Sequence, residues 1–506
     1  MDVKIDGEGL TIEDVVAVAR KGAKIVLPAE ARARVEECAR LVQKLVDSGK
    51  AIYGVTTGIG EFARIRISKE DGEALQRKII YSHSAGTGDP LPEEYVRAAI
   101  LCRSNTLSKG YSGVRLQTLE TYMEMANRGI SPVVYEKGSL GASGDLSPLA
   151  QLAEVALGEG EAFYGGKRIP GKVAMKAAGL TPIVPTFKEG LGLINGSQLT
   201  AGMAALCVHD AEQLVKVSEI ASAMTLDAVR GVTGALDARA HELRKFPGQI
   251  KAAEHIRRMI TGSQILAQPE LKVQDAYSLR CIPQIIGASR DAVAHARTQI
   301  ETEMNALVDN PIFIVRDGQH VSCGNFHGQY VGFALEHMAI AVAELASVSE
   351  RHTNRMMNPI LSGLPDFLVE GKGLNSGLMV AQYTAAALVT ENKVLAHPAV
   401  VDSISVSADQ EDHVSMANTS ANKLRVIIRN TGAALSVQIM AAAQALDFRK
   451  PLLPGKGVQA VHALVRRHVK HLDEDRPLHP DIEAVRRLVL AGSIIKAAEG
   501  AVGKLD

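Results

Sequence analysis

From about residue 196 onward, apolar positions recur with a helical period. Leu335, Met338, Val342 and Leu345 fall on one face, and Glu336, Glu344 and Glu350 lie elsewhere on the same helix. Residues 200–230, 285–308, 377–396 and 421–447 read the same way. They are rich in Ala, which favours helix and lets neighbouring helices approach closely. Several of these segments are apolar nearly all round, a pattern that suits helices buried in a bundle or between subunits. The first third is mixed, with short segments alternating with Gly-rich turns such as Gly54-Val55-Thr56-Thr57-Gly58-Ile59-Gly60. Residues 159–187, with Gly165-Gly166 and several prolines, read as a loop or small strand region. The expected fold is all-α with a long central bundle and a mixed N-terminal domain. The ranges are 1–195, 196–450 for the bundle, and 451–506 for a smaller, more charged helical tail.

A chain of 506 residues with 46% hydrophobic content can bury a large interior. Its formal net charge is zero, its aromatic content is 4% and it has no Trp. Neither electrostatic attraction to nucleic acid nor a stacking platform for bases follows. The five cysteines, Cys38, Cys102, Cys207, Cys281 and Cys323, are scattered without metal or redox spacing and read as reduced thiols of a cytoplasmic protein. The N-terminal residues have no apolar run of the signal-peptide kind. No uninterrupted apolar stretch is expected to span a bilayer, because Gln438 and Gln444 interrupt the nearest candidate at 431–447. No His-Glu-x-x-His, Cys pair, Walker loop or dinucleotide fingerprint is present, so no metal is expected.

The chemistry concentrates in Gly138-Ser139-Leu140-Gly141-Ala142-Ser143-Gly144-Asp145-Leu146-Ser147-Pro148-Leu149. Gly144 lacks a Cβ, so its backbone can turn back sharply. Its nitrogen could then reach the Ala142 carbonyl and close a five-membered ring. Loss of that water and of the Ser143 hydroxyl would leave an exocyclic methylene, an electrophile that no ordinary side chain supplies. A plainer reading takes the run as a Gly-rich loop before a helix, with Ser147 as N-cap and Pro148 at the first helical position. A nucleophilic serine elbow fits less well, since Asp145 stands where that motif needs Gly.

The run resembles the signature of the aromatic amino acid ammonia-lyase and aminomutase family, whose Ala-Ser-Gly cyclises to 4-methylidene-imidazol-5-one (MIO). Further segments resemble that family's motifs in the same order. They are Tyr53-Gly54-Val55-Thr56-Thr57-Gly58, Ser82-His83-Ser84-Ala85-Gly86, Leu193-Ile194-Asn195-Gly196 and Gln274-Asp275-Ala276-Tyr277-Ser278-Leu279-Arg280. Asp309-Asn310-Pro311, Gly324-Asn325-Phe326-His327 and Gln410-Glu411-Asp412-His413-Val414-Ser415-Met416 follow. The resemblance implies a fumarase/aspartase-like helical architecture and a homotetramer with shared active sites. It also implies a small-molecule amino acid substrate.

Eliminating ammonia from an α-amino acid removes a weakly acidic β-proton and expels a poor leaving group. A positioned base contributes roughly 10²–10⁴-fold, short of the roughly 10⁶-fold or more that enzymes reach. Covalent capture of the amine by the methylene supplies the remainder. The resemblance makes Ala142, Ser143 and Gly144 the MIO and Tyr53 the base. Arg280 then holds the substrate carboxylate, and Tyr277, Asn195 and Gln274 orient the MIO and the amine. Asn310 assists with the carboxylate or the arginine, and Phe326 packs near the reacting centre. His83 and Glu411 form a polar pair suited to an imidazole, with Glu411 as a second acid or base. These two, with Met379 in Gly377-Leu378-Met379-Val380-Ala381-Gln382, point to the histidine-acting branch, which forms trans-urocanate from L-histidine. The alternative is a tyrosine ammonia-lyase or tyrosine 2,3-aminomutase with the same chemistry.

Overall fold

The computed structural model describes residues 2–269 and 272–506. The chain forms two compact units, each assembled from separated segments. One comprises Met1–His209, Ala296–Glu336 and Pro398–Asn422, and the other Asp210–His295, His337–His397 and Lys423–Asp506. They therefore do not coincide with the consecutive ranges 1–195, 196–450 and 451–506. The unit boundaries fall inside helices Gln198–Ala228, Ile282–Met304, Gln329–Met357 and Ala417–Asp447, and once in the loop near residue 397. The fold is predominantly helical, as the periodicity leads one to expect. Leu335, Met338, Val342 and Leu345 are all fully buried.

The first unit carries the short strands of the mixed N-terminal region. Glu161–Tyr164 pairs antiparallel with Lys167–Pro170 across the two-residue turn Gly165-Gly166. Both glycines have positive φ (58° and 74°), the conformation a tight hairpin of this hand requires. Helix Glu93–Ser108 is buried over most of its length, and its apolar run Ala98–Cys102 is followed by a fully buried Arg103. Helix Leu146–Ala156 starts directly after the Ala142-Ser143-Gly144 triplet, and helix Glu189–Ile194 ends directly before Asn195. Asp145, not Ser147, stands at the N-cap, and its side chain makes no cap bond. The Asp145 carboxylate is drawn instead to Thr200 and Ser139, while the Ser147 hydroxyl accepts from the Ala85 N–H.

The second unit is built from helices, among them Pro247–Met259, Met379–Leu395, Lys456–Arg466, His479–Leu490 and Ser493–Val502. Among the described residues two helices, Gln329–Met357 and Ala417–Asp447, are long and apolar enough by length and composition to cross a membrane, although Glu336 and Glu344 interrupt the first and Gln438 and Gln444 the second. The apolar windows of these helices are 67% and 78% buried inside the protein. Ala and Val keep them apolar, and the two glutamines are buried with partners. Gln438 donates to Thr225 Oγ1, and Gln444 donates to the Leu368 and Leu472 carbonyls.

Candidate active site

Gly144 adopts φ 75°, and a Cβ there would lie 2.2 Å from the Gly196 carbonyl carbon and oxygen. Only glycine fits both the backbone angle and this contact. The two glycines form a parallel bridge: Asp145 N donates to Gly196 O at 2.7 Å, and Gly196 N donates to Ser143 O at 3.4 Å. Asp145 anchors the turn from below. Its buried carboxyl accepts from Thr200 N (2.8 Å), Thr200 Oγ1 (2.7 Å) and Ser139 Oγ (2.9 Å). Burial raises the pKa of Asp145, and the Thr200 bonds oppose that rise. On the other side, the Leu140 carbonyl accepts from Met416 N, and the Gly141 carbonyl accepts from Ser415 Oγ and Gly328 N. Ala142 packs with Val414 and Met416.

Two groups converge on Ser143. Its hydroxyl donates to Glu411 Oε1 at 2.8 Å, and its carbonyl accepts from Asn195 Nδ2 at 3.2 Å. Asn195 is buried, and its Oδ1 has no hydrogen-bond partner. An acceptor left open beside the triplet suits a donor such as an amine. Glu411 is delivered by a turn in which Ser407, Ala408 and Asp409 all have positive φ (56°, 52° and 64°). Antiparallel bonds between Val406 and Glu411 close that turn. Such angles are strained for residues with a Cβ.

Tyr53 is held between Ile52 and Val55, which are both fully buried in a cluster with Val42, Leu45, Val46 and Phe313. Gly54 has φ 64°, its carbonyl accepts from Gln76 Nε2 at 3.1 Å, and a Cβ on it would meet Leu191 at 2.5 Å. The Tyr53 hydroxyl accepts from Gly60 N at 2.9 Å. Burial raises its pKa first, and the negative charge of Glu411 adds to this, while the Gly60 bond opposes. These surroundings do not assist ionisation in the way a neighbouring cation would.

The remaining expected residues of this unit have other partners. His83 ends helix Lys69–His83, and its Nδ1 donates to the Ile79 carbonyl at 2.7 Å, which leaves Nε2 as the acceptor in the neutral ring. Glu411, the other polar group expected to meet an imidazole, has its Oε1 on the Ser143 hydroxyl. Asn310 Oδ1 is turned into its own loop, where it accepts from Cys323 N (2.7 Å) and Ser322 Oγ (3.3 Å). Phe326 is half-buried in the turn before helix Gln329–Met357.

In the second unit Arg280 donates to Gln274 Oε1, and both side chains are exposed. Tyr277 opens the short helix Tyr277–Arg280 and is 73% exposed. The Ser278 carbonyl accepts from the buried ring of His352 at 2.6 Å. Met379 begins helix Met379–Leu395 and is half-buried. Sequence reasoning missed His352, and it missed Arg103, which donates to the Asn195 carbonyl at 2.7 Å. An arginine directly after the apolar run Ala98-Ala99-Ile100-Leu101-Cys102 was the available signal for the second. Among the described residues no cluster of His, Cys, Asp or Glu is arranged to hold a metal ion.

Known proteins resemble the chain along its whole length. A histidine ammonia-lyase of Alkaliphilus oremlandii is 50% identical over 501 residues, 99% of each chain. The crystal structure of histidine ammonia-lyase from Trypanosoma cruzi superposes with a TM-score of 0.93 at 38% identity, over 99% of this chain and 96% of that one. Tyrosine aminomutase from Streptomyces globisporus does so with a TM-score of 0.95 at 37% identity, over 99% of both. The family model for aromatic amino acid lyase matches residues 10–467. With the Gly144–Gly196 turn, the Ser143–Glu411 bond and this match in hand, the chain belongs to the aromatic amino acid lyase family.

Proposed function

We propose that the chain is a histidine ammonia-lyase, eliminating ammonia from L-histidine to give trans-urocanate. The observation that carries this reading is the Glu411 carboxylate held 2.8 Å from Ser143 Oγ, in a chain 50% identical over its length to a histidine ammonia-lyase. An acidic acceptor at the reacting triplet matches an imidazole N–H and is left unpaired by an apolar ring, and such a mismatch is strongly selective. The His83 Nε2 acceptor suits the same ring.

The residues present fit an MIO made from Ala142, Ser143 and Gly144. Gly144 has the open, left-handed backbone that ring closure needs, and the Asn195 amide polarises the Ser143 carbonyl. When formed, the group supplies an electrophile for the substrate amine. Tyr53 takes the β-proton. Arg280, supported by Gln274, holds the carboxylate through charge-assisted hydrogen bonds. Tyr277 and the open Asn195 Oδ1 orient the amine, Phe326 and Met379 flank the ring, and Asn310 shapes its loop. Tyr277, Gln274 and Arg280 are exposed in the single chain, which supports a homotetramer whose active sites draw on more than one copy. The five cysteines, none of them disulfide-bonded, support a cytoplasmic enzyme. Neither nucleic acid nor membrane is a partner in this reading.

The second reading, a tyrosine lyase or 2,3-aminomutase, is favoured by the TM-score of 0.95 to the tyrosine aminomutase. An ultraviolet scan of enzyme with histidine and, separately, tyrosine decides between them, because urocanate and coumarate absorb at different wavelengths. Intact mass tests the prosthetic group. The native chain should be lighter than its translation by two waters, located to the Ser143 peptide. Ser143→Ala should lose both that deficit and most turnover.

A further inference from the structure

Arg103 lies in the middle of helix Glu93–Ser108 and is fully buried. Its Nη1 donates to the carbonyls of Asn195 (2.7 Å) and Val308 (3.2 Å), and its Nη2 donates to the carbonyl of Gly192. Gly192 belongs to the last turn of helix Glu189–Ile194, whose carbonyls need outside donors and whose negative end favours a cation. Close by, Lys188 is also fully buried and donates to Asp309 Oδ1 (2.9 Å) and to the Asn310 carbonyl (3.1 Å). Arg103 approaches the same Asp309 oxygen only to 3.9 Å.

The cluster holds two basic side chains and one carboxylate, all removed from water. Asp309 bonds Lys188, so the Arg103 guanidinium has only backbone carbonyls within hydrogen-bond reach. A buried charge so placed is costly and gives little net stability. Its return lies in what it holds. The guanidinium fork fixes the carbonyl of Asn195 while that residue's amide nitrogen bonds the Ser143 carbonyl at 3.2 Å and Gly196 N bonds it at 3.4 Å. Arg103 is thus one residue removed from the triplet and does not touch it.

We infer that Arg103 is a positioning residue that holds the Asn195-Gly196 turn against the Ser143 carbonyl so that the triplet can close its ring. This rests on the MIO reading above. Arg103 donates no proton and forms no bond in the closure. It holds the turn bent for the attack of Gly144 N on the Ala142 carbonyl, and it keeps Asn195 Nδ2 on the Ser143 carbonyl, where polarisation acidifies the Ser143 Cα–H that leaves with the hydroxyl as the second water.

The test compares native chain, Arg103→Met and Arg103→Lys by intact and peptide mass, with circular dichroism and steady-state kinetics on histidine. Arg103→Met leaves Lys188 paired with Asp309 and strands no charge. The expected result is a folded protein in which a large fraction of the Ser143 peptide retains its two waters. Its kcat should fall about 10²-fold, the usual cost of a small misplacement, with KM within about threefold. Arg103→Lys should restore part of the dehydrated fraction. Full dehydration of Arg103→Met overturns the inference. So does failure of both variants to fold, because the side chain would then hold the fold rather than the turn. A native chain with no mass deficit overturns the MIO reading and this inference together.

Discussion

At the scale of single residues, the proposed base is the sharpest point of tension. Tyr53 must lose its proton to act, yet its burial and the nearby Glu411 charge hold its pKa above the ordinary value of 10. The deprotonated fraction therefore grows across the whole neutral range. The measured log kcat/KM should climb with pH and show no plateau below about pH 9, and Tyr53→Phe should lose roughly 10²–10⁴-fold and flatten that limb. Glu411→Gln removes the repelling charge, so its limb should move to lower pH even as kcat/KM falls. His352 gives a prediction of stability instead. The Gln438 amide nitrogen donates to its Nδ1 at 3.0 Å, so the proton sits on Nε2, facing the Ser278 carbonyl. Burial lowers its pKa from 6.5 to about 4. Its folded pKa is depressed, so its contribution is complete above pH 6.5 and is lost as pH falls toward 4, because the unfolded chain binds the proton first. The loss amounts to about 3 kcal/mol. Asp227 works in the opposite direction, since burial raises it to about 6. The informative measurement is therefore the difference between native protein and His352→Gln in denaturant unfolding from pH 7.5 to 4.5. Gln can keep both hydrogen bonds without titrating, so that difference should change sign in its favour as the pH falls.

At the scale of elements, the loop that carries Tyr53 depends on one backbone angle. Gly54→Ala would force a Cβ into φ 64° and to within 2.5 Å of Leu191 Cδ2. The left-handed angle alone costs about 1–2 kcal/mol. Thermal unfolding should show a loss of that size, and kcat should fall further than the stability loss explains, because Tyr53 is the adjacent residue. Glycine at this position was legible in the motif, but its neighbour Leu191 was not, since 137 positions separate the two in the sequence. The same division runs through the molecule. Helical periods announced Gln198–Ala228, Ile282–Met304, Met379–Leu395 and Ala417–Asp447 to within a few residues. The order of short motifs announced the chemistry. The bonds from Ser143 to Glu411 and from Arg103 to Asn195 span 268 and 92 positions. No local spacing encodes them. Helix Leu146–Ala156 was displaced by two residues at its start for a related reason. A local rule favours Ser147 as cap, but tertiary bonds to Thr200 and Ser139 claim Asp145 and set the turn.

At the scale of the whole molecule, one helix carries the argument for assembly. Along Gln329–Met357, Tyr330 (74%), Phe333 (57%) and Ile340 (50%) are exposed, with His337 between them on the same face. Spacings of three, four and three residues make this a continuous stripe, while the opposite face of the helix is buried. Val380, Tyr383 and Val394 leave a second apolar face open on Met379–Leu395. Contiguous apolar surface of this kind is uncommon on a lone chain and usual at an obligate interface. Burying a Tyr or Phe side chain contributes about 1.5–3 kcal/mol, so a charge in the stripe should separate the copies without harming the interior of either. Tyr330→Glu and Phe333→Glu, measured by light scattering on a sizing column, should shift the protein to smaller species that keep their helical circular dichroism. If Tyr277, Gln274 and Arg280 serve an active site shared between copies, turnover should vanish in proportion to dissociation. It should return when the protein concentration is raised, whereas a site complete within one chain would keep its specific activity at every dilution.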